Sequence, residues 1–325
     1  MGYDTKVVQR AWALLKKATV QYQGADVGTL AALETNTDTV NYDQIFTRNF
    51  FVSGLALLLN GKYETVRTFI RVTSDLQQSD ASTNCFQAHR GLMPASFKVV
   101  EKDRKKELVA DFGEHAIGRV TPVDSSLWWL LLMYVYINAS GDKAIATEDK
   151  TCRSIKRILD HYMIGHFELI PTLLVPDGAF MIDRRMGMYG HPLDIEVLFH
   201  AALRASREIL SIDASPDDKN YIERIESRLG HLEDHIRADY WIELRVSTAS
   251  TAMKRTSSAT RLPINIIFMW PLFRNGYFSG WMRAAATLWE MSAPVEWISV
   301  FWPWEICWRC LHHWLTWCSR KKFLG

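Results

Sequence analysis

Residues 123–138 read VDSSLWWLLLMYVYIN. The apolar run inside them falls short of the roughly 20 residues needed to cross a bilayer, so the stretch predicts a helix of a folded domain and not a membrane span. One carboxylate, Asp124, stands at its mouth. Working outward, apolar spacing predicts further helices over 5–22, 50–59, 63–75, 147–163, 192–210 and 217–243. Asn60-Gly61 stops the second of these. Between the helices lie polar-aromatic loops, CFQAHRGLMPASFKVV, DFGEHAIGRV and PTLLVPDGAFMIDRRMGMYGHP. Long and short helices in alternation predict an all-α fold of antiparallel helix pairs stacked around a common centre.

The bulk numbers set bounds. A chain of 325 residues, 48% hydrophobic and 23% charged, has the composition of a globular protein. A formal charge of +2 argues for neither nucleic acid nor a membrane surface as partner. The opening MGYDTKVVQRAWALLKK alternates charged and apolar residues, so it reads as an amphipathic helix and not a signal peptide. Five cysteines, at 85, 152, 307, 310 and 318, are too few and too scattered for a disulfide framework and suit a reducing cytoplasm.

Asp124 admits two readings. Thr121-Pro122-Val123-Asp124 places Thr at a helix N-cap, Pro at the first helical position and an acid at the third, a pattern close to a capping box. A first-turn aspartate also feels the helix dipole, which favours its charged form. Against this, Trp128 lies one turn along the same face, and an aromatic wall that expels water favours the neutral, proton-donating form. The local pattern leaves the choice open.

Other constellations are polar groups in apolar settings. NYDQIFTRNF holds Asp43, Gln44 and Arg48 at a loop-to-helix junction; it is either an ordinary solvated helix start or a cluster that binds sugar hydroxyls. MIDRRMGMYGHPLDIEV sets Asp183, Arg184, Arg185 and His191 among Met, Ile and Tyr, which favours a buried ionic network or a ligand cleft over a solvated face. DFGEHAIGR, with Glu114, His115 and Arg119, has the same character, although a lone histidine is more often structural. Ser125 and Ser126 lack nucleophile-elbow glycines. Cys307, Cys310, His313 and Cys318 are too tightly spaced for a zinc knuckle, so no metal is expected.

Taken together, NYDQIFTRNF, RGLMPASFKV, DFGEHAIGRVTPVDSSLWW, PTLLVPDGAFMIDRRMGMYGHPLDIEVLF and HIRADYWIEL resemble the alkaline/neutral invertases, glycoside hydrolase family 100. The resemblance is nearly continuous from about residue 20 to about residue 244. It implies an (α/α)6 toroid, here a partial one, that hydrolyses sucrose in the cytoplasm with no cofactor. It implies that Asp124 is the general acid, and that Asp43, Gln44, Arg48, Trp129, Asp183, Arg184, Arg185 and His191 line the sugar pocket. The chain departs from the family at Asn49, where an aspartate is usual.

The second departure begins near Arg245. From there the chain is Ser/Thr-rich and then carries nine of the thirteen tryptophans. No motif after residue 245 matches the family's second catalytic carboxylate, and neither Asp183 nor Glu196 has a motif to support it as the base. A back-translation of Glu296–Trp302, read from the last base of its first codon, gives Met-Asp-Phe-Arg-Phe-Leu, close to a family stretch. The expectation is therefore a domain over 1–245 and an irregular, non-family tail over 246–325 translated out of frame. Half a toroid would leave inner helices without neighbours, favouring aggregation or a homo-oligomer. Two functions follow: a sucrose-cleaving hydrolase, or an inactive remnant that binds sugar weakly.

Overall fold

The computed structural model describes residues 5–33, 42–79, 90–113, 123–163, 171–173 and 190–240, all within one compact unit. Eight helices occur among them: α1 (Thr5–Ala18), α2 (Thr47–Leu59), α3 (Tyr63–Asp75), α4 (Ser125–Ser140), α5 (Ala144–Thr147), α6 (Asp149–Tyr162), α7 (Leu193–Leu210) and α8 (Pro216–His235). A π-helical turn over Ile236–Tyr240 continues α8.

The helices form two rows. In the first, α2 packs on α4 and α4 on α7. Twelve of the sixteen residues of α4 are buried, so it is apolar all round and occupies the middle of that row. In the second row, α3 touches α6 through the Ser74–Ser154 hydroxyl pair at 2.7 Å. Helix α6 then meets α8 through Lys156–Asp218 at 2.9 Å and Asp160–Tyr221 at 2.9 Å. Short turns join α2 to α3 and α7 to α8, so successive helices pair as antiparallel hairpins. Phe50 of α2 stacks on Phe69 of α3 with ring centroids 4.0 Å apart, where the two rows meet.

The helical expectation holds for this body, with α3 bounded by Tyr63 and Asp75 as its spacing predicts. Two small antiparallel sheets are additions to the all-α reading. The predicted first helix stops at Ala18, and the chain enters a hairpin of β1 (Thr19–Tyr22) and β2 (Ala25–Thr29). β-branched Thr19 and Val20 with Tyr22 favour a strand there, and Gln23-Gly24 turn with positive φ of 50° and 82°. The second sheet has the order β3 (Ile45–Phe46), β4 (Ser96–Lys102), β5 (Lys105–Asp111). The end of one stretch expected as loop, 96–100, and the unassigned residues after it therefore form a β-hairpin, paired from Ser96↔Asp111 to Lys102↔Lys105. Its two turn residues, Asp103 and Arg104, both have positive φ, the geometry of a two-residue hairpin turn. Asp-Arg lacks the glycine that usually announces such a turn, which is why the sequence concealed it.

Thr121, the expected cap, lies outside the described residues. Asp124 itself is the N-cap of α4, in helical φ/ψ, and its side chain makes no capping hydrogen bond. The capping box that does form is at α8, where Ser215 Oγ accepts from Asp218 N and the Asp218 carboxylate accepts from Ser215 N at 2.9 Å. No helix among the described residues is long and apolar enough to cross a membrane.

Gly91 seats the strand-side chain on α6. Its φ is +100°, and an added Cβ would lie 2.4 Å from the Arg157 carbonyl oxygen. Gly91→Ala is expected to lower the unfolding free energy by about 2–4 kcal/mol, combining left-handed strain with overpacking against rigid backbone; urea titration measures it.

Candidate active site

Asp124 is 0% exposed. Arg48 Nη1 and Trp128 Nε1 each approach its Oδ2 at 3.3 Å. Arg48 lies in the first turn of α2 and Trp128 one turn into α4, so the carboxylate is held where the heads of two adjacent helices meet. Trp128 has Phe51 of α2 beside it, with ring centroids 4.7 Å apart. Carboxylate, guanidinium and indole thus converge in a nearly dry place, where charge-assisted hydrogen bonds are strong.

A short extended segment fixes that convergence. Thr47 sends its backbone N–H to the Ala95 carbonyl at 3.0 Å and its hydroxyl to the Pro94 carbonyl at 2.7 Å. One residue earlier, Met93 N donates to Ser126 Oγ at 3.0 Å. Residues 93–95 therefore tie the start of α2 to the start of α4, and Arg48 to Asp124 with them. Pro94 suits this role, because it has no N–H to satisfy in a buried bracket. Tyr162, the last residue of α6, adds a third tether by donating its hydroxyl to the Val123 carbonyl at 2.8 Å. Burial raises its phenol, a hydrogen bond with Ser126 opposes that, and the charge of Asp124 reinforces it.

The residues expected at a sugar site are dispersed. Arg48 joins Asp124. Asp43 is exposed and pairs with Lys98 of β4 at 3.7 Å. Gln44 is buried, and its side-chain oxygen accepts from Ser96 Oγ at 2.5 Å. Trp129 is fully buried and donates its indole N–H to Thr73 Oγ of α3 at 2.8 Å, so it faces the core between the rows. Asn49, the departure from the family pattern, is exposed. His191 is partly exposed, with Nδ1 3.9 Å from Glu196 and its carbonyl accepting from Tyr240 OH at 2.5 Å. Asp183, Arg184 and Arg185, together with Glu114, His115, Arg119 and the cysteine-rich tail, lie outside the described residues.

The placement of two further groups escaped the sequence reading. Ser126 and Tyr162 are ordinary residues of apolar helices until the fold brings them to the head of α4. Glu196 is 0% exposed and burial drives its carboxyl up to about 8, opposed by the Leu173 backbone N–H. A surface hollow of about 600 Å³ lies elsewhere, beside Tyr22, Val27, Thr68 and Leu108.

By its sequence the domain falls in a class of glycoside hydrolases. The family model described as alkaline and neutral invertase matches residues 11–258, and the chain belongs to that family. It is 46% identical over 243 residues to probable alkaline/neutral invertase A, chloroplastic, of Arabidopsis thaliana, a match covering 73% of this chain and 38% of the relative. Neutral/alkaline invertase 3, chloroplastic, of Oryza sativa subsp. japonica is 44% identical over 249 residues, 74% of this chain and 41% of the relative. With alkaline/neutral invertase C, mitochondrial, of Arabidopsis thaliana the identity is 39% over 300 residues, 87% of this chain and 45% of the relative. The chain thus spans about two fifths of the length of these relatives.

The Arg48–Asp124 pair is testable without any substrate. Arg48→Ala strands a buried carboxylate and is expected to cost on the order of 3 kcal/mol. Adding Asp124→Asn should recover much of that loss. A double-mutant cycle in urea reads the coupling, and strictly additive effects would show that the two side chains do not interact.

Proposed function

We propose that this chain carries the acid side of a sucrose-cleaving site, hydrolysing sucrose to glucose and fructose with Asp124 as the general acid. The observation that carries the reading is the carboxyl of Asp124, placed at the head of α4 with Arg48 and Trp128 both on one of its oxygens. Those two donors fix the plane of the carboxyl, which orients the acid toward one glycosidic oxygen. An inverting hydrolysis then needs a base roughly 6.5–9.5 Å away, with water between the two groups. Glu196 is poorly suited to that part, because it is sealed and both its oxygens accept from Leu173 N. No described residue is assigned as the base.

The α2–α3 and α7–α8 hairpins, with α4 and α6 between them, are read here as part of an (α/α)6 toroid. His191, Asp183, Arg184 and Arg185 remain the proposed sugar-pocket residues on the strength of the family motif. Trp129, buried against Thr73, is better read as core. The cytoplasm is the compartment proposed from the sparse cysteines; relatives are named chloroplastic and mitochondrial as well, and cell fractionation decides it.

Sucrose must reach a carboxyl that the surrounding chain covers completely, and glucose release is the direct test that it does. Asp124→Asn is expected to lower kcat by about 10²–10⁴-fold, the usual worth of a positioned acid, with KM little changed. Trp129→Phe should leave KM alone while costing about 1 kcal/mol of stability through the lost hydrogen bond to Thr73. Absence of glucose release from the wild-type chain, or equal release by Asp124→Asn, removes the reading.

A further inference from the structure

The N-cap residues of α2, α6, α7 and α8 are all extended, with ψ between 123° and 166°. That is the conformation from which a side chain reaches the amides of its own first turn. Asp124 instead has ψ −21° and makes no capping hydrogen bond, although aspartate is among the best capping residues. Something holds it out of the conformation that its chemistry favours.

Because peptide units are planar, the φ and ψ of a residue set the angle between the two planes that flank it. Both planes beside Asp124 are pinned. The one after it is fixed by the Asp124 carbonyl, which accepts from Trp128 N at 3.0 Å. That bond is the first of α4 and is kept in a capped helix as well. The plane before it is fixed by the Val123 carbonyl, which accepts from the Tyr162 hydroxyl at 2.8 Å. To reach the ψ of a cap such as Ser215 with α4 intact, the Val123 plane must swing by about half a turn, away from that hydroxyl.

Tyr162 is a firm anchor for this plane. It ends α6, is buried, and meets the ring of Phe199 of α7 edge-on with centroids 6.4 Å apart. The head of α4 is tied from its other side too, where Ser126 Oγ accepts from Met93 N at 3.0 Å. The helix therefore cannot shift to follow a swinging Val123.

We propose that Tyr162 is a positioning residue for the acid: its hydrogen bond to the Val123 carbonyl keeps Asp124 out of the capping conformation and so leaves the carboxyl to Arg48 and Trp128. The bearing on catalysis rests on the sucrose reading given above; the lock itself does not. With the lock released, the carboxyl turns to Ser126 N or Leu127 N, the second and third amides of α4, and is lost to a glycosidic oxygen.

The experiment uses the full chain with Tyr162→Phe, which keeps the ring and removes the donor. The amide protons of Ser126 and Leu127 are expected to move downfield in nitrogen–proton correlation spectra as the carboxyl caps them. The Arg48–Asp124 coupling, read by a double-mutant cycle, should fall below half its value in the wild-type background. On sucrose, kcat should drop about tenfold with KM within about twofold. Asp124→Asn separates the lock from the pull of Arg48, because asparagine caps well and carries no charge. With Tyr162 present this variant should show no capping shift, and adding Tyr162→Phe should bring one. A tyrosine that is merely structural would lower stability without adding a cap. Unmoved Ser126 and Leu127 amides in Tyr162→Phe therefore overturn the lock. If Tyr162→Phe fails to fold, the Asp124→Asn variant decides: uncapped it supports the lock, capped it overturns it. A gained cap with unchanged kcat overturns the catalytic part. A wild-type chain that releases no glucose overturns the sucrose reading, and the amide shifts and the coupling then decide the lock alone.

Discussion

A carboxylate with no solvent exposure must find its partners within the protein, and Asp124 dictates much of what surrounds it. It needs a cation, and Arg48 supplies one from the neighbouring helix. It needs further donors, and Trp128 offers its indole N–H one turn along the same helix. Those partners must also be held in place, because a buried pair of this kind stabilises only when its geometry is good. The Met93-Pro94-Ala95 bracket meets that requirement by tying the heads of α2 and α4 with backbone hydrogen bonds. The three-stranded sheet then has a clear role. It takes the chain up from the bracket at Ser96 and leads it out of β3 into Thr47, one residue before the arginine.

The two helical rows contribute unequally to that precision. The second row is laced with ion pairs such as Arg71–Glu148, Asp160–Arg224 and Lys156–Asp217, each with at least one partner well exposed. Pairs of that kind are worth about 0–1 kcal/mol each and are weakened by salt. The first row has a sealed apolar interior, with Phe50, Leu127, Leu130 and Phe199 all near zero exposure. The position of the site is therefore set by burial in the first row and by hydrogen bonds to backbone, and surface charge has little part in it.

How far the sequence revealed this depends on the range of the interaction. Features governed by neighbours in the chain were legible: the apolar period of α3, the stop at Asn60-Gly61, the proximity of Trp128 to Asp124 one turn apart. Features governed by partners far away were not. Arg48 and Asp124 are 76 positions apart, and no periodicity links them; only the family resemblance put both in one site. Trp128 and Trp129 look interchangeable as letters. A helix turns about 100° between them, so one meets the carboxylate and the other meets Thr73 in the core. The β4–β5 hairpin was hidden by its charged tip, since Lys102, Asp103, Arg104, Lys105 and Lys106 interrupt the alternation that would mark strands.

The cap at Asp124 shows why a local motif and a site can compete for the same residue. A capping side chain spends its oxygens on the amide N–H groups of its own helix, as Ser215 does with Asp218 at the head of α8. At the head of α4 the aspartate occupies the capping position in name only, with helical φ/ψ and no hydrogen bond to the first turn. Its carboxylate is directed across to Arg48 and along to Trp128. The first-turn amides of α4 forgo a side-chain cap, and an uncapped helix is tolerated here because α4 is held by burial over most of its length. A helix that depended on its cap could not have left this carboxylate for Arg48 and Trp128. An apolar, fully packed helix can, and the run of leucines and tryptophans behind Asp124 is what makes that possible.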